Sequence, residues 1–340
     1  MHFDHPRRRF LLRSVPAAAG VLGLSPSVFA QASAGPATPA LPAQARILIG
    51  YPPGGSIDII ARKLAERLSG RLAQQVLVDS KQGAAGRLAV EAMKSAPADG
   101  TTLLITPGSV MNMYPHIYKS LAYDVFNDVL PVSVVAYTGF ALVVGPAVPA
   151  AVKSVDDFIA WCKAHPAGAQ CGNPGAGSLP HFMAMLLARD AKIDLTHVPF
   201  RGGAAAMLAV AGGQMSAALA TESTALALEQ AGKLRVLATT SAERSVFLPQ
   251  VPTFREQGFA NLVQREWFGA FMPAKTPVST VQAASEALRA VLREPEVREL
   301  WRKTALSAEG STPAELQQAL RREHDFWGPI IRASGFTPEA

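Results

Sequence analysis

The chain has 340 residues, 49% of them hydrophobic and 17% charged, a balance that supports a buried core and excludes intrinsic disorder. Its formal charge of +6 is concentrated at one end: residues 1–30 carry Arg7, Arg8, Arg9 and Arg13 against Asp4, so their removal leaves +3. Beyond them there is no dense Lys/Arg stripe with interleaved aromatics, which argues against a nucleic-acid partner.

Residues 1–30 read as an export signal. Arg8-Arg9-Phe10-Leu11 has a twin-arginine look, a weakly apolar stretch runs from Val15 to Leu24, and Val28-Phe29-Ala30 offers a cleavage site after Ala30. The apolar stretch is about half the length a membrane span needs. Export predicts a periplasmic protein. Residues 31–43 form an Ala/Pro/Thr-rich lead-in without periodicity. The remainder suits two domains of ordinary size.

From residue 47 onward, strands and helices alternate. Ile47-Leu48-Ile49 ends in Pro52-Pro53-Gly54-Gly55-Ser56, and Ile57 to Leu68 follows at helical spacing. Gln75 to Val78 is a short strand. Gly83-Ala84-Ala85-Gly86 turns into a helix from Leu88 to Ser95. Thr102 to Thr106 is a strand ending at Gly108-Ser109, and strands recur at Val132–Ala136 and Ala141–Val144. Ser154 caps a helix over Val155–Ala164 with Asp156 and Asp157 in its first turn. A strand at Gln170 leads through Gly175-Ala176-Gly177-Ser178 to a helix over Pro180–Arg189. Strands at Leu195–Val198, Met215–Ala220 and Leu234–Thr239 bracket a helix over Ala204–Ala211. The last sixty or so residues are mostly helical. The alternation predicts an α/β fold with a largely parallel sheet. Cys162 and Cys171 either pair across a short loop or remain buried free thiols. The histidines have no metal-ligand spacing to them.

Several strand ends carry Gly and Ser just before a helix. A helix start offers backbone N–H groups without internal partners and a partial positive charge, so it binds anions. Gly54-Gly55-Ser56 therefore reads as a cradle for a small anion. A P-loop string is absent, and Gly175-Ala176-Gly177-Ser178-Leu179-Pro180 fails as a dinucleotide fingerprint because Pro180 takes the third glycine position. A carboxylate fits the same geometry. No Gly-any-Ser-any-Gly elbow surrounds Ser109 or Ser178. His181 reads as a helix residue, Asp58 as serving the loop or the helix dipole, and no acid–base pair assembles. An exported enzyme is the competing class.

These residues resemble the Bug family, the periplasmic solute-binding receptors of tripartite tricarboxylate transporters. Tyr51-Pro52-Pro53-Gly54-Gly55-Ser56 with Asp58 and Ala61-Arg62 is similar to the family's first loop. Gly83 to Gly86 resembles its second, and Ala98-Asp99-Gly100-Thr101-Thr102-Leu103-Leu104 its "PDGYTLL" segment. Gly175 to Ser178 with His181 resembles "GNGSxxH", His197-Val198-Pro199-Phe200-Arg201-Gly202 resembles "HVPYKG", and Leu248 to Thr253 resembles "LPDVPT". The ordered set covers roughly Arg46 to Ser334.

The resemblance implies a two-lobed periplasmic binding fold, type II-like, with the ligand cleft between the lobes and two chain crossings. Lobe 1 is expected over 44–137 plus 247–340, and lobe 2 over 138–246. It further implies a non-enzymatic receptor binding a small organic carboxylate through backbone amides and serving a membrane permease or a sensor; a monomer without cofactor or metal is the default expectation. The expected ligand-binding residues in the first half are Tyr51, Pro53, Gly54, Gly55, Ser56, Asp58, Gly83, Thr106 and Ser109. Those in the second are Gly177, Ser178, His181, Phe200 and Glu222. Departures from the family pattern include Ile57 for Thr, Arg87 for Asn, Ser216 for Asp and Ala220-Thr221 for Asp-Asn. Glu222 just beyond reads either as a ligand contact or as a solvated helix cap, and Trp267 as cleft wall or core between the lobes. Dicarboxylates, aromatic acids, amino acids and tricarboxylates remain open as ligands.

Overall fold

A computed structural model describes residues 41–336. The expected export signal, most of the lead-in and the last four residues lie outside them. No helix among the described residues is long and apolar enough to cross a membrane.

The chain first lays down β1 (Gln44–Ile49), β2 (Gln75–Ser80), β3 (Thr102–Pro107) and β4 (Val129–Thr138). It then builds β5 (Phe140–Val144), β6 (Gln170–Asn173), β7 (Thr196–Pro199), β8 (Ala217–Thr221) and β9 (Arg235–Thr239), and comes back for β10 (Glu266–Pro273). These form two five-stranded sheets, ordered β2-β1-β3-β10-β4 and β7-β6-β8-β5-β9. The result is a two-lobed α/β fold in which the chain crosses between sheets twice. Gly139 alone separates β4 from β5, and the return runs through residues 240–265.

The sheets are mixed rather than largely parallel. β1 pairs in parallel with β2 and β3, and β6 with β7 and β8. β10 runs antiparallel between β3 and β4, and β5 antiparallel between β8 and β9. The reason is topological. Helix crossovers within a lobe make parallel neighbours, whereas the two strands inserted antiparallel, β5 and β10, each enter their sheet from the other lobe.

The helices are α1 (Ser56–Leu68), α2 (Arg87–Lys94), α3 (Gly108–Asn112), α4 (Tyr114–Ile117), α5 (Val155–Ala164), α6 (Leu179–Ala191), α7 (Gly203–Ala211), α8 (Glu222–Gln230), α9 (Val278–Leu292), α10 (Pro295–Lys303) and α11 (Pro313–Ser334). The expected Ser154 cap forms a full capping box with Asp157. On α1, Ile57, Ile60, Ala61, Leu64 and Leu68 are buried at helical spacing. They pack with Ile47 and Ile49 of β1 and with Trp301 of α10. Leu48 points the other way, into a second cluster that spans both lobes through Phe140, Phe182 and Trp267. The central strands are thus covered on both faces, each fully buried aliphatic side chain contributing about 2 kcal/mol of transfer free energy. Cys162 and Cys171 are both free and buried, and burial pushes each thiol up to about 12, so neither is reactive.

Candidate functional site

At the carboxyl ends of β1, β3, β6, β7 and β8 the connections converge on a cavity of about 290 Å³ between the sheets, where open α/β sheets place ligands. Its wall is mainly apolar, with Pro53, Phe140, Pro180, Leu208 and Phe268 among the lining residues. Polar groups enter at a few points: Ser56, Ser109, Ser178, Thr221, Thr224, Arg201 and Glu266. The first turns of α1, α6 and α7 all reach this wall, presenting N–H groups that have no intrahelical acceptor.

Gly55 stands at the N-cap of α1 with φ −90° and ψ 172°. A Cβ added there meets no atom within 4 Å. Gly54 before it needs its glycine for another reason, a φ of +90°. Its N–H donates to Asp58 Oδ2 at 3.1 Å, and Asp58 Oδ1 accepts from Arg62 Nε at 2.8 Å. The first loop is therefore tied back to its own helix, which leaves Gly55 and Ser56 facing the cavity. Ser56 also bridges the lobes, sharing hydrogen bonds with Thr221 Oγ1 at 2.7 Å and with Ser223.

Opposite, Ser178 caps α6 without a side-chain hydrogen bond. It is buried and lines the cavity, and its Oγ has no partner among the described residues. Gly177 N–H donates to His181 Nδ1 at 3.0 Å, so the imidazole is tied to the loop. Burial lowers His181 to about 4, which keeps the ring neutral.

The second loop adjoins a neighbouring cavity of about 540 Å³ lined by Tyr51, Gly83 and Phe200. Ala84 and Ala85 take φ of 48° and 53° there, a conformation side-chain-bearing residues rarely adopt. The Ala85 carbonyl accepts from both Tyr51 and Tyr114 hydroxyls at 3.0 Å, which holds the turn in place.

Of the expected residues, Tyr51, Pro53, Gly55, Ser56, Ser109 and Ser178 line the first cavity, and Gly83 and Phe200 the second. Gly54, Asp58, Thr106, Gly177, His181 and Glu222 line neither. Pro53 has no N–H to donate, so an amide role expected for it is corrected to one of shape. Glu222 is not a solvated cap: it is 1% exposed and hydrogen-bonded with Ser245. Its backbone N–H donates to the Gly139 carbonyl at 2.9 Å, and a Cβ on Gly139 would lie 2.2 Å from Glu222 Oε1, so the acid is packed under the first crossing. Trp267 is 2% exposed and absent from the cavity wall, a core residue.

Burial pushes Glu222 up to about 7, above its usual range near 4.5. A group raised on folding stabilises the fold fully below about pH 4.5, and that contribution disappears as pH rises through 7. Glu222→Gln should therefore remove part of the stability loss between pH 5 and 8, by about 2 kcal/mol at pH 8. Urea melts of both proteins at the two pH values check this. An equal slope in both would count against the buried acid.

Residue missed on sequence grounds was chiefly Glu266, the single charge in a strand, Glu-Trp-Phe-Gly-Ala-Phe-Met-Pro, buried along its whole length. An acid opening such an apolar run was the available signal. Its Oε1 accepts from Ser109 N–H at 3.2 Å and its Oε2 from Ser109 Oγ at 2.9 Å. Burial, against the pull of the Ser109 bonds, pushes it up to about 8.

The pattern of the tripartite tricarboxylate transporter family receptor matches residues 60–336. The chain belongs to this family. Its members are solute-binding receptors of the periplasm, not enzymes, and the Bug proteins are among them. BugT of Bordetella pertussis is 30% identical over 298 residues, covering 87% of this chain and 90% of that one. Among solved structures, R. palustris Rpa4515 with adipate is 27% identical with a TM-score of 0.83, over 87% of this chain and 98% of that one. MatC from Rhodopseudomonas palustris, with bound malate, is 25% identical with a TM-score of 0.79, over 85% and 98%.

Proposed function

We propose that this receptor works in the periplasm as a monomer. Its lobes, divided near 44–137 with 247–340 and 138–246, close on a small organic carboxylate and pass it to a membrane permease of the tripartite tricarboxylate type. The observation that carries the reading is Ser178, whose buried hydroxyl has no partner among the described residues and which lines, at the start of α6, a cavity where α1 and α7 also begin. A buried polar group left unmatched costs free energy, and three converging helix starts favour an anion. A carboxylate satisfies both, through charge-assisted bonds stronger than neutral ones. The adipate and malate carried by two relatives support the same class of ligand.

The test begins with native mass spectrometry of the protein purified from its periplasm, with identification of any released acid. Ser178→Ala should then weaken that acid about tenfold, near 1.4 kcal/mol, by calorimetry at unchanged thermal stability. A bound nucleotide or metal in place of an acid, or full affinity in the variant, would overturn the reading.

A further inference from the structure

We infer that Glu266 is a second recognition point in the cavity and takes the ammonium group of an aminocarboxylate whose acid end lies at the helix starts. The inference rests on the carboxylate-receptor reading and narrows it. Three observations converge. Glu266 lines the cavity with only 5% of its surface exposed, so what it borders is the ligand space rather than bulk solvent. Its two oxygens are held by Ser109 donors at 3.2 and 2.9 Å. Once ionised, a carboxyl whose protein partners all donate is an acceptor only, and an ammonium group in the cavity brings the protons it then accepts. Thirdly, no Lys, Arg or His among the described residues pairs with it.

The groups that face Glu266 sharpen the point. The charge of Glu323 on α11 acts on it and raises the carboxyl further. The Tyr51 hydroxyl, before α1, is itself pushed up by burial and by Glu266 and stays neutral. Arg201 lines the same cavity but is exposed, on the lobe where α6 and α7 begin. The cavity therefore has an anion-seeking side of helix starts and Arg201, and a cation-seeking point at Glu266. A simple dicarboxylate meets only the first. A zwitterion meets both, and it supplies the countercharge without which burial holds Glu266 up to about 8.

Calorimetry on the mature protein with matched pairs tests this: L-glutamate against glutarate, 4-aminobutyrate against butyrate, and L-leucine against 4-methylpentanoate. In at least one pair the amino member should bind about tenfold tighter or more. Glu266→Gln should abolish that gap by weakening the amino member and leaving its partner within about threefold. Wild-type protein supplies a readout independent of the variant's folding. At pH 7 the tight amino ligand should release about one proton, seen as a heat that varies with buffer ionisation, because the carboxyl ionises as the ammonium arrives. Deaminated acids binding as tightly as their amino partners, or tight amino binding without proton release, would overturn the Glu266 assignment and leave the receptor reading standing. Failure of every acid in both classes would overturn both.

Discussion

Gly55→Val should abolish ligand capture while leaving the protein folded. The residue sits in extended backbone, φ −90° and ψ 172°, a conformation that a β-branched side chain adopts without strain. The added Cβ meets no protein atom within 4 Å. Folding therefore loses only cap quality, about 1 kcal/mol or less, since valine is a poorer N-cap than glycine. Binding is another matter. Gly55 lines a cavity of about 290 Å³, so the isopropyl group would occupy the space through which the proposed carboxylate reaches the N–H groups of α1. Holding the anion even 1 Å further out breaks hydrogen bonds that need about 2.9 Å. The expected loss is about 100-fold or more, near 2.7 kcal/mol. Calorimetry with the acid recovered from the native protein reads the affinity, and a thermal melt reads the fold. Unchanged affinity in a folded variant would remove Gly55 from the site.

The contrast with Gly54 is instructive, because the sequence presents both as one motif. Gly54 holds a φ of +90°, so a substitution there strains the loop before it touches a ligand. Composition and spacing made the Gly-Gly-Ser loop legible as a helix start. They did not divide it into a residue that shapes the turn and a residue that faces the cavity. The division is set by Asp58, which draws the Gly54 N–H toward its own helix.

Local signals carried most of the helices and first-lobe strands for the same reason: caps, periods and turn residues act within one or two turns. The Ser154 capping box and the buried stripe of α1 are of this kind. Long-range pairing was the blind spot. β10 contains an acid, a glycine and a terminal proline, shows no alternation because both of its faces are buried, and enters its sheet antiparallel from the other lobe. With that strand unseen, Glu266 had no place in the site, since nothing in the sequence brings it to Ser109, 157 residues earlier. Glu222 misled in the opposite direction. At the start of a helix it reads as a ligand contact or a solvated cap, and only the approach of Gly139 at the crossing shows why the cap is ruled out by burial. The Gly-Ser loop before α6 was legible as a helix start, but His181 was not legible as its fastener. That role depends on the ring turning back to accept the Gly177 N–H.

Trp267→Ala should cost the fold about 3–5 kcal/mol, the range for losing a large buried aromatic. The indole is 2% exposed on β10, one residue after Glu266. It fills the space in front of Gly108, where an added Cβ would lie 2.3 Å from the ring, so the start of α3 rests directly on it. Its Nε1 donates to Glu323 Oε2 at 2.7 Å, an oxygen that also accepts from Asn112 Nδ2 at 2.6 Å. Truncation thus opens a cavity between β10 and α3 and removes one of two donors from a half-buried acid whose pKa is already raised by desolvation. Trp267→Phe separates the two effects. It keeps most of the packing and loses the N–H, and it should cost about 1–3 kcal/mol. Urea denaturation of the three proteins measures both. Ser109 lies next to Gly108 and supplies both hydrogen bonds to Glu266. The alanine variant should therefore weaken ligand binding at a temperature where it is still folded, and the phenylalanine variant should do so much less. Equal stability of wild type and Trp267→Ala would mean that the indole does not support this wall of the site.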